Sequence, residues 1–127
     1  VDNVYIELPY ACEESGDLSQ PLASGILTGK YGMDTKFAAG DNRAGFWTEE
    51  RFQSVKADME IVKSCVKSPV ETVAQLALAY NLSYPGISCI IPGAKNPDQV
   101  QKNVSAAGIR LSEEVMEKLG STKGFVF

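Results

Sequence analysis

Lys95 stands between Pro92-Gly93-Ala94 and Asn96-Pro97-Asp98-Gln99. Those residue types in that order suit one chemistry, the holding of an anion. Asparagine is a preferred helix N-cap and proline a preferred first helical residue, so a helix is predicted to open at Pro97. Gln99, three residues after Asn96, has the spacing of a capping box. Backbone N–H groups at such a helix start attract negative charge, and the helix dipole reinforces them. Lys95 adds a point charge at the mouth. A nucleotide phosphate is the simplest ligand for such a place. On residue types alone, the stretch also fits an ordinary strand-to-helix turn.

Other chemistry is excluded by composition. The 127 residues contain no histidine, so no step that needs an imidazole base can be run by this chain alone. Cys12, Cys65 and Cys89 are an odd number without CxxC spacing. They read as reduced thiols of a cytoplasmic protein, with Cys89 in the core of a strand. Net charge is −4 and the isoelectric point about 4.8, whereas a nucleic-acid footprint would be basic. No apolar run approaches a membrane span, and no signal peptide is expected. A hydrophobic fraction of 44% over this length suffices for one core.

The elements that must position Lys95 are legible around it. Ile87-Ser88-Cys89-Ile90-Ile91 is mostly apolar and predicts a short buried strand over 87–91. A parallel partner is expected, because helix, loop, strand, loop, helix is the wiring of a parallel α/β sheet. The helix after Pro97 is predicted to run to about residue 107, where Gly108 can stop it. Upstream, Thr48 followed by Glu49-Glu50 opens a helix over 48–66. Phe52, Val55, Met59 and Val62 give it one apolar face for packing. Ser68-Pro69-Val70-Glu71 predicts a second helix over 69–82. Ser112-Glu113-Glu114 caps a last short one. Residues 4–8 alternate as a strand does, 13–20 read as a loop, and 32–45 as a long loop of the kind that is usually functional or mobile.

Two blocks carry a family likeness. One is Ile90-Ile91-Pro92-Gly93-Ala94 with the Asn96-Pro97 helix start, Gln99 and Asn103. The other is Pro21-Leu22-Ala23-Ser24-Gly25-Ile26-Leu27-Thr28-Gly29-Lys30-Tyr31. In this order and spacing they resemble the C-terminal part of the aldo-keto reductases, over roughly residues 20 to 120. Residues 1–20 match poorly, and 1–9 fit either the sixth or the seventh barrel strand. The resemblance implies an α/β chain, the C-terminal part of an incomplete (β/α)8 TIM barrel, with 1–127 as a single domain. Whole barrels typically need about 250 residues, so a fragment is expected. It also implies NADP as cofactor, with Leu22, Gly25, Lys30, Arg43, Gly93, Lys95, Gln99 and Asn103 in its binding site. Taken alone, Lys30 would be an ordinary solvated lysine. Lys102 stands where many members carry a glutamate that accepts a bond from the adenine amino group, and a lysine cannot accept.

No catalytic residue is carried over. The family's Asp, Tyr, Lys and His tetrad belongs to its N-terminal half. Tyr5, Tyr10, Tyr31, Tyr80 and Tyr84 match no tetrad position. The implied function is therefore the NADP(H)-binding portion of a carbonyl-reducing oxidoreductase, inactive as this chain alone. The alternative is a non-catalytic nucleotide- or partner-binding module, as in the channel β subunits of the same superfamily. A half-barrel leaves strand edges and apolar faces open. Partnership with the missing N-terminal half, or with a second copy, is expected, and no nucleic acid or membrane.

Overall fold

The helices that open at Glu49, Val73, Pro97 and Glu113 each follow a short polar side chain that caps them. The structure, a computed structural model, describes residues 17–18, 22–32, 34–46, 48–85, 87 and 89–122. After strand β1, Asp17–Leu18, a 3-10 helix spans Ala23–Thr28. Then come α1, Asn42–Phe46, α2, Glu49–Ser64, and α3, Val73–Leu82. Strand β2, Cys89–Ile90, leads to α4, Pro97–Ser105. A 3-10 turn, Ala106–Gly108, and α5, Glu113–Gly120, follow.

The caps explain these starts. The Thr48 hydroxyl accepts the Arg51 N–H, and the Ser112 hydroxyl accepts the Val115 N–H. Each satisfies one of the amides that a helix start leaves without a partner. In α2, Phe52, Val55, Met59 and Val62 are all buried, so the predicted apolar face is the packing face. Helix α3 differs. Five successive residues, Gln75 to Ala79, are buried, and Leu76 and Leu78 are 0% exposed. A helix covered on every side belongs to the interior. It packs against the 3-10 helix Ala23–Thr28, β2, α4 and the turn at 106–108, while α5 packs on α2. Burying one such leucine contributes about 1.5–3 kcal/mol.

Four local expectations are corrected. Helix α3 begins at Val73 rather than 69, because Thr72 takes the cap one turn later. Its hydroxyl accepts the Gln75 N–H at 3.1 Å, and the Gln75 side-chain oxygen Oε1 accepts the Glu71 N–H at 2.9 Å. Residues 42–46 of the expected long loop form α1, opened by Asp41. Its carboxylate accepts the Arg43 N–H at 2.9 Å, two residues on. Residues 13–20 are not all loop, since Asp17 and Leu18 pair with Cys89 and Ile90. That pairing is set by tertiary contact, which local composition does not encode. The strand expected over 87–91 spans Cys89–Ile90 alone among the described residues. It is not buried on both faces, since Cys89 is exposed and Ile91 is 58% exposed. Ile90 alone of these three packs against the core. The strand expected at 4–8 lies outside the described residues.

β1 and β2 run parallel, Asp17 opposite Cys89 and Leu18 opposite Ile90. The parallel pairing expected for β2 is present. About 70 residues separate the strands in sequence, the kind of crossover a parallel pair requires. The chain leaves β1 into the block at 22–31 and leaves β2 into the block at 93–103. Both blocks therefore depart from the same edge of the pair.

Candidate functional site

The first block is built on a tight turn. The Leu22 carbonyl accepts the Gly25 N–H at 3.0 Å and the Leu27 N–H at 3.2 Å. Leu22 is itself a core residue, so any contact it makes with a ligand is through its backbone. Gly25 has φ +87°, a conformation only glycine holds without strain. A Cβ there would stand 3.0 Å from the Tyr31 ring and 3.9 Å from Arg43 Nη1. The Thr28 hydroxyl donates to the Gly25 carbonyl at 2.6 Å and accepts the Lys30 N–H at 3.4 Å. Lys30 itself is exposed.

Arg43 arrives beside this turn from α1 and is held on every edge. Its Nε donates to both Asp41 carboxylate oxygens, at 2.9 and 3.2 Å, and Nη2 donates to Oδ2 at 2.6 Å. Nη1 donates to the Tyr31 hydroxyl at 3.0 Å. The guanidinium carbon lies 5.3 Å from the Tyr31 ring centre and 5.1 Å from that of Phe37. Those rings contact each other at 5.3 Å between centres. Cation–π attraction and the bidentate ion pair thus fix one side chain together. The side chains are 14% exposed for Arg43 and 22% for Asp41. The hydrogen bonds from Arg43, side chain first and backbone second, hold the Asp41 carboxyl down to about 2. The same hydrogen bond raises Arg43 further above its ordinary value.

The second block is the start of α4. The Asn96 side-chain oxygen accepts the Gln99 N–H at 3.0 Å, as its N-cap role predicts. Gln99 does reach back, but one residue further than a capping box, to the Lys95 N–H at 2.7 Å. Two of the amides expected to face an anion are therefore occupied by side chains of the block itself. Asn103 donates from its amide to the Gly93 carbonyl at 3.3 Å and so ties the helix back to its loop. Lys95 is exposed, and its ammonium adds a smaller Coulombic pull on Asp41. Lys102 pairs with Asp98 at 2.8 Å, and that hydrogen bond raises it.

The structure thus brings Gly25 and Arg43 together around Tyr31, and Gly93, Lys95, Gln99 and Asn103 together at the start of α4. Lys95 and Asp41 link the two electrostatically. Lys30 joins the first group through its backbone N–H, which the Thr28 hydroxyl accepts, while Lys30 itself is exposed. Tyr31, Phe37 and Asp41, the seat of Arg43, were not singled out from sequence. The signal available was Asp41 two residues before Arg43, the spacing of an acidic N-cap to its second helical residue.

The sequence pattern of the aldo/keto reductase family matches residues 18–123. The chain belongs to this family. A probable voltage-gated potassium channel subunit beta of Arabidopsis thaliana is 33% identical over 106 residues, covering 78% of this chain and 32% of that protein. An NADH-specific methylglyoxal reductase of Escherichia coli is 32% identical over 111 residues, covering 84% and 34%. An uncharacterised oxidoreductase of Mycobacterium tuberculosis is 31% identical over 99 residues, covering 78% and 30%. The chain spans about a third of the length of these curated relatives. The family generally uses nicotinamide cofactors and implies a (β/α)8 barrel. Among the described residues, no helix is long and apolar enough to cross a membrane.

Proposed function

We propose that this chain is the C-terminal, NADP(H)-binding portion of an aldo-keto reductase-like (β/α)8 oxidoreductase. In it, residues 1–127 act as one cytoplasmic domain that does not catalyse alone. The observation that carries this is the parallel pairing of β1 with β2. Both family blocks leave the carboxyl ends of neighbouring parallel strands, where α/β folds of this kind bind their ligands. Arg43, Lys95 and Lys30 are cations suited to phosphate, and the tight turn at Gly25 allows close backbone approach. That donor set fits a phosphorylated dinucleotide. When bound, the cofactor supplies hydride. These residues would hold its phosphates, with Gly93, Gln99 and Asn103 shaping the loop and Leu22 contributing through its backbone.

Selection of NADP rests on Lys95. With two amides already capped, the extra 2′-phosphate would depend on the lysine and the dipole of α4 more than on N–H donors. A charge-assisted contact contributes roughly 1.5–3 kcal/mol, and 1.4 kcal/mol is a factor of about ten. Calorimetric titration should therefore show NADPH preferred over NADH by at least about tenfold. The NADH-specific relative makes this a demanding test, because equal or reversed affinities would sink the NADP assignment.

A second reading is favoured by the relative named as a channel subunit. In it, the chain is a non-catalytic module that binds a nucleotide, an N-terminal barrel half or a second copy. NADPH oxidation by the purified chain with a carbonyl substrate would defeat it.

A further inference from the structure

The Arg43 guanidinium makes four side-chain hydrogen bonds, and what fills its fork is another residue of the same loop. Both carboxylate oxygens of Asp41 face the Nε and Nη2 edge, at 2.6 to 3.2 Å. That planar two-point contact is the one a guanidinium offers to a phosphate. Nη1 is taken by the Tyr31 hydroxyl, and Tyr31 and Phe37 line the guanidinium. The edge held by Asp41 is therefore where a phosphate would find two donors together. Two anions cannot share that edge without strong like-charge repulsion. The Asp41 side chain is partly exposed, so its carboxylate can turn to solvent while the aromatic seat keeps Arg43 in place.

We propose that Asp41 is a resident stand-in for a ligand phosphate, and that binding exchanges the Asp41 carboxylate for that phosphate on Arg43. This rests on the nucleotide-binding reading and adds its regulation. The exchange sets a threshold. A singly charged carboxylate ligand gains nothing by replacing one already tethered two residues away. A doubly charged phosphate or pyrophosphate gains an extra charge against Arg43, with Lys95 nearby. The seat should thus reject small carboxylates and chloride and admit phosphorylated ligands.

The test is calorimetric titration of the wild type, Asp41→Asn, and the double variant Asp41→Asn with Arg43→Gln, using inorganic pyrophosphate and NADPH in separate arms. Asparagine keeps an oxygen for the Arg43 N–H and removes the competing charge. In the pyrophosphate arm, Asp41→Asn should bind at least about tenfold tighter than wild type, and the double variant should lose the gain. Pyrophosphate affinity unchanged or weakened in Asp41→Asn, or no pyrophosphate binding by any variant, overturns the exchange. The NADPH arm judges the nucleotide reading separately. Tighter pyrophosphate binding by Asp41→Asn with no NADPH binding by any variant upholds the exchange and overturns that reading. Should Asp41→Asn fail to fold, the wild type decides. Its Arg43 Nε–H resonance should shift on adding pyrophosphate, and a resonance that stays put overturns the exchange.

Discussion

Helices α3 and α4 start with the same local device and put it to different uses. In each, a cap side chain accepts the N–H of a glutamine three residues on, Thr72 from Gln75 and Asn96 from Gln99. In each, that glutamine accepts the N–H of the residue before the cap, Glu71 or Lys95. The difference lies in the surroundings. Gln75 is 5% exposed, and its amide donates to the Ser105 hydroxyl at 2.7 Å, across to the end of α4. Gln99 sits at the surface beside an exposed lysine. One start is consumed by packing, and the other is left facing solvent with a cation at its mouth. A capping pattern therefore states where a helix begins, and burial decides whether that beginning is available to a ligand.

The comparison breaks most readily at Gln75. Gln75→Ala removes both part-buried side-chain bonds, to the Glu71 N–H and to the Ser105 hydroxyl that ties α3 to α4. Denaturant unfolding should show a loss of about 1–3 kcal/mol. A loss no larger than that of the surface counterpart would mean the two starts are equivalent after all. At the other start, Lys95→Ala should leave unfolding within about 0.5 kcal/mol of wild type. The same variant should lose most of the preference for NADPH over NADH, on the order of 1.4 kcal/mol in a cofactor titration. Gln99→Ala should cost about 0.5–1 kcal/mol in unfolding, since its bond is exposed and water replaces it. It also frees the Lys95 N–H, so weaker NADPH binding by this variant would show that Gln99 contributes more than a cap.

Acid gives the smallest and most local effect. The Asp41 carboxyl is lowered from 3.8 to about 2, chiefly by its side-chain hydrogen bond with Arg43. A depressed carboxylate stabilises the fold above its unfolded value and loses that contribution as pH falls through the folded one. The window is therefore about pH 4 down to about pH 2. Across it, amide resonances around Arg43 and Lys95 should move, while those of Thr72 to Gln75 should not. Movement at both sites together would indicate general acid unfolding instead.

The comparison also locates what sequence conveys. Asn96-Pro97 fixed the start of α4 to the residue, because cap and proline act within four positions. Ser68-Pro69 looked like the same signal, yet the helix waited for Thr72, because Thr72 with Gln75 offers a second cap whose glutamine can also bond Ser105. The α2 stripe was legible from Phe52, Val55, Met59 and Val62, since periodicity reports burial directly. The strand pair was half legible. Ile87 to Ile91 pointed to β2 and its parallel sense, but its partner Asp17–Leu18 has nothing in its composition to mark it. The seat of Arg43 was hidden for a similar reason. Tyr31 and Phe37 are 12 and six positions from the arginine, and ring contacts across a loop leave no period to read.

The burial of α3 has a consequence for time rather than place. Its amides, from Gln75 to Ala79, can meet water only when the elements packed around it come apart. They should therefore be among the slowest in amide hydrogen exchange. No side chain of α4 is buried among the described residues, so α4 should open on its own and far more often. A ligand that requires α4 closed makes that opening rarer by the factor 1 + [L]/Kd. Slowed exchange confined at first to Asp98 through Ser105 would thus reveal an occupant of the Lys95 mouth, even one bound too weakly to isolate.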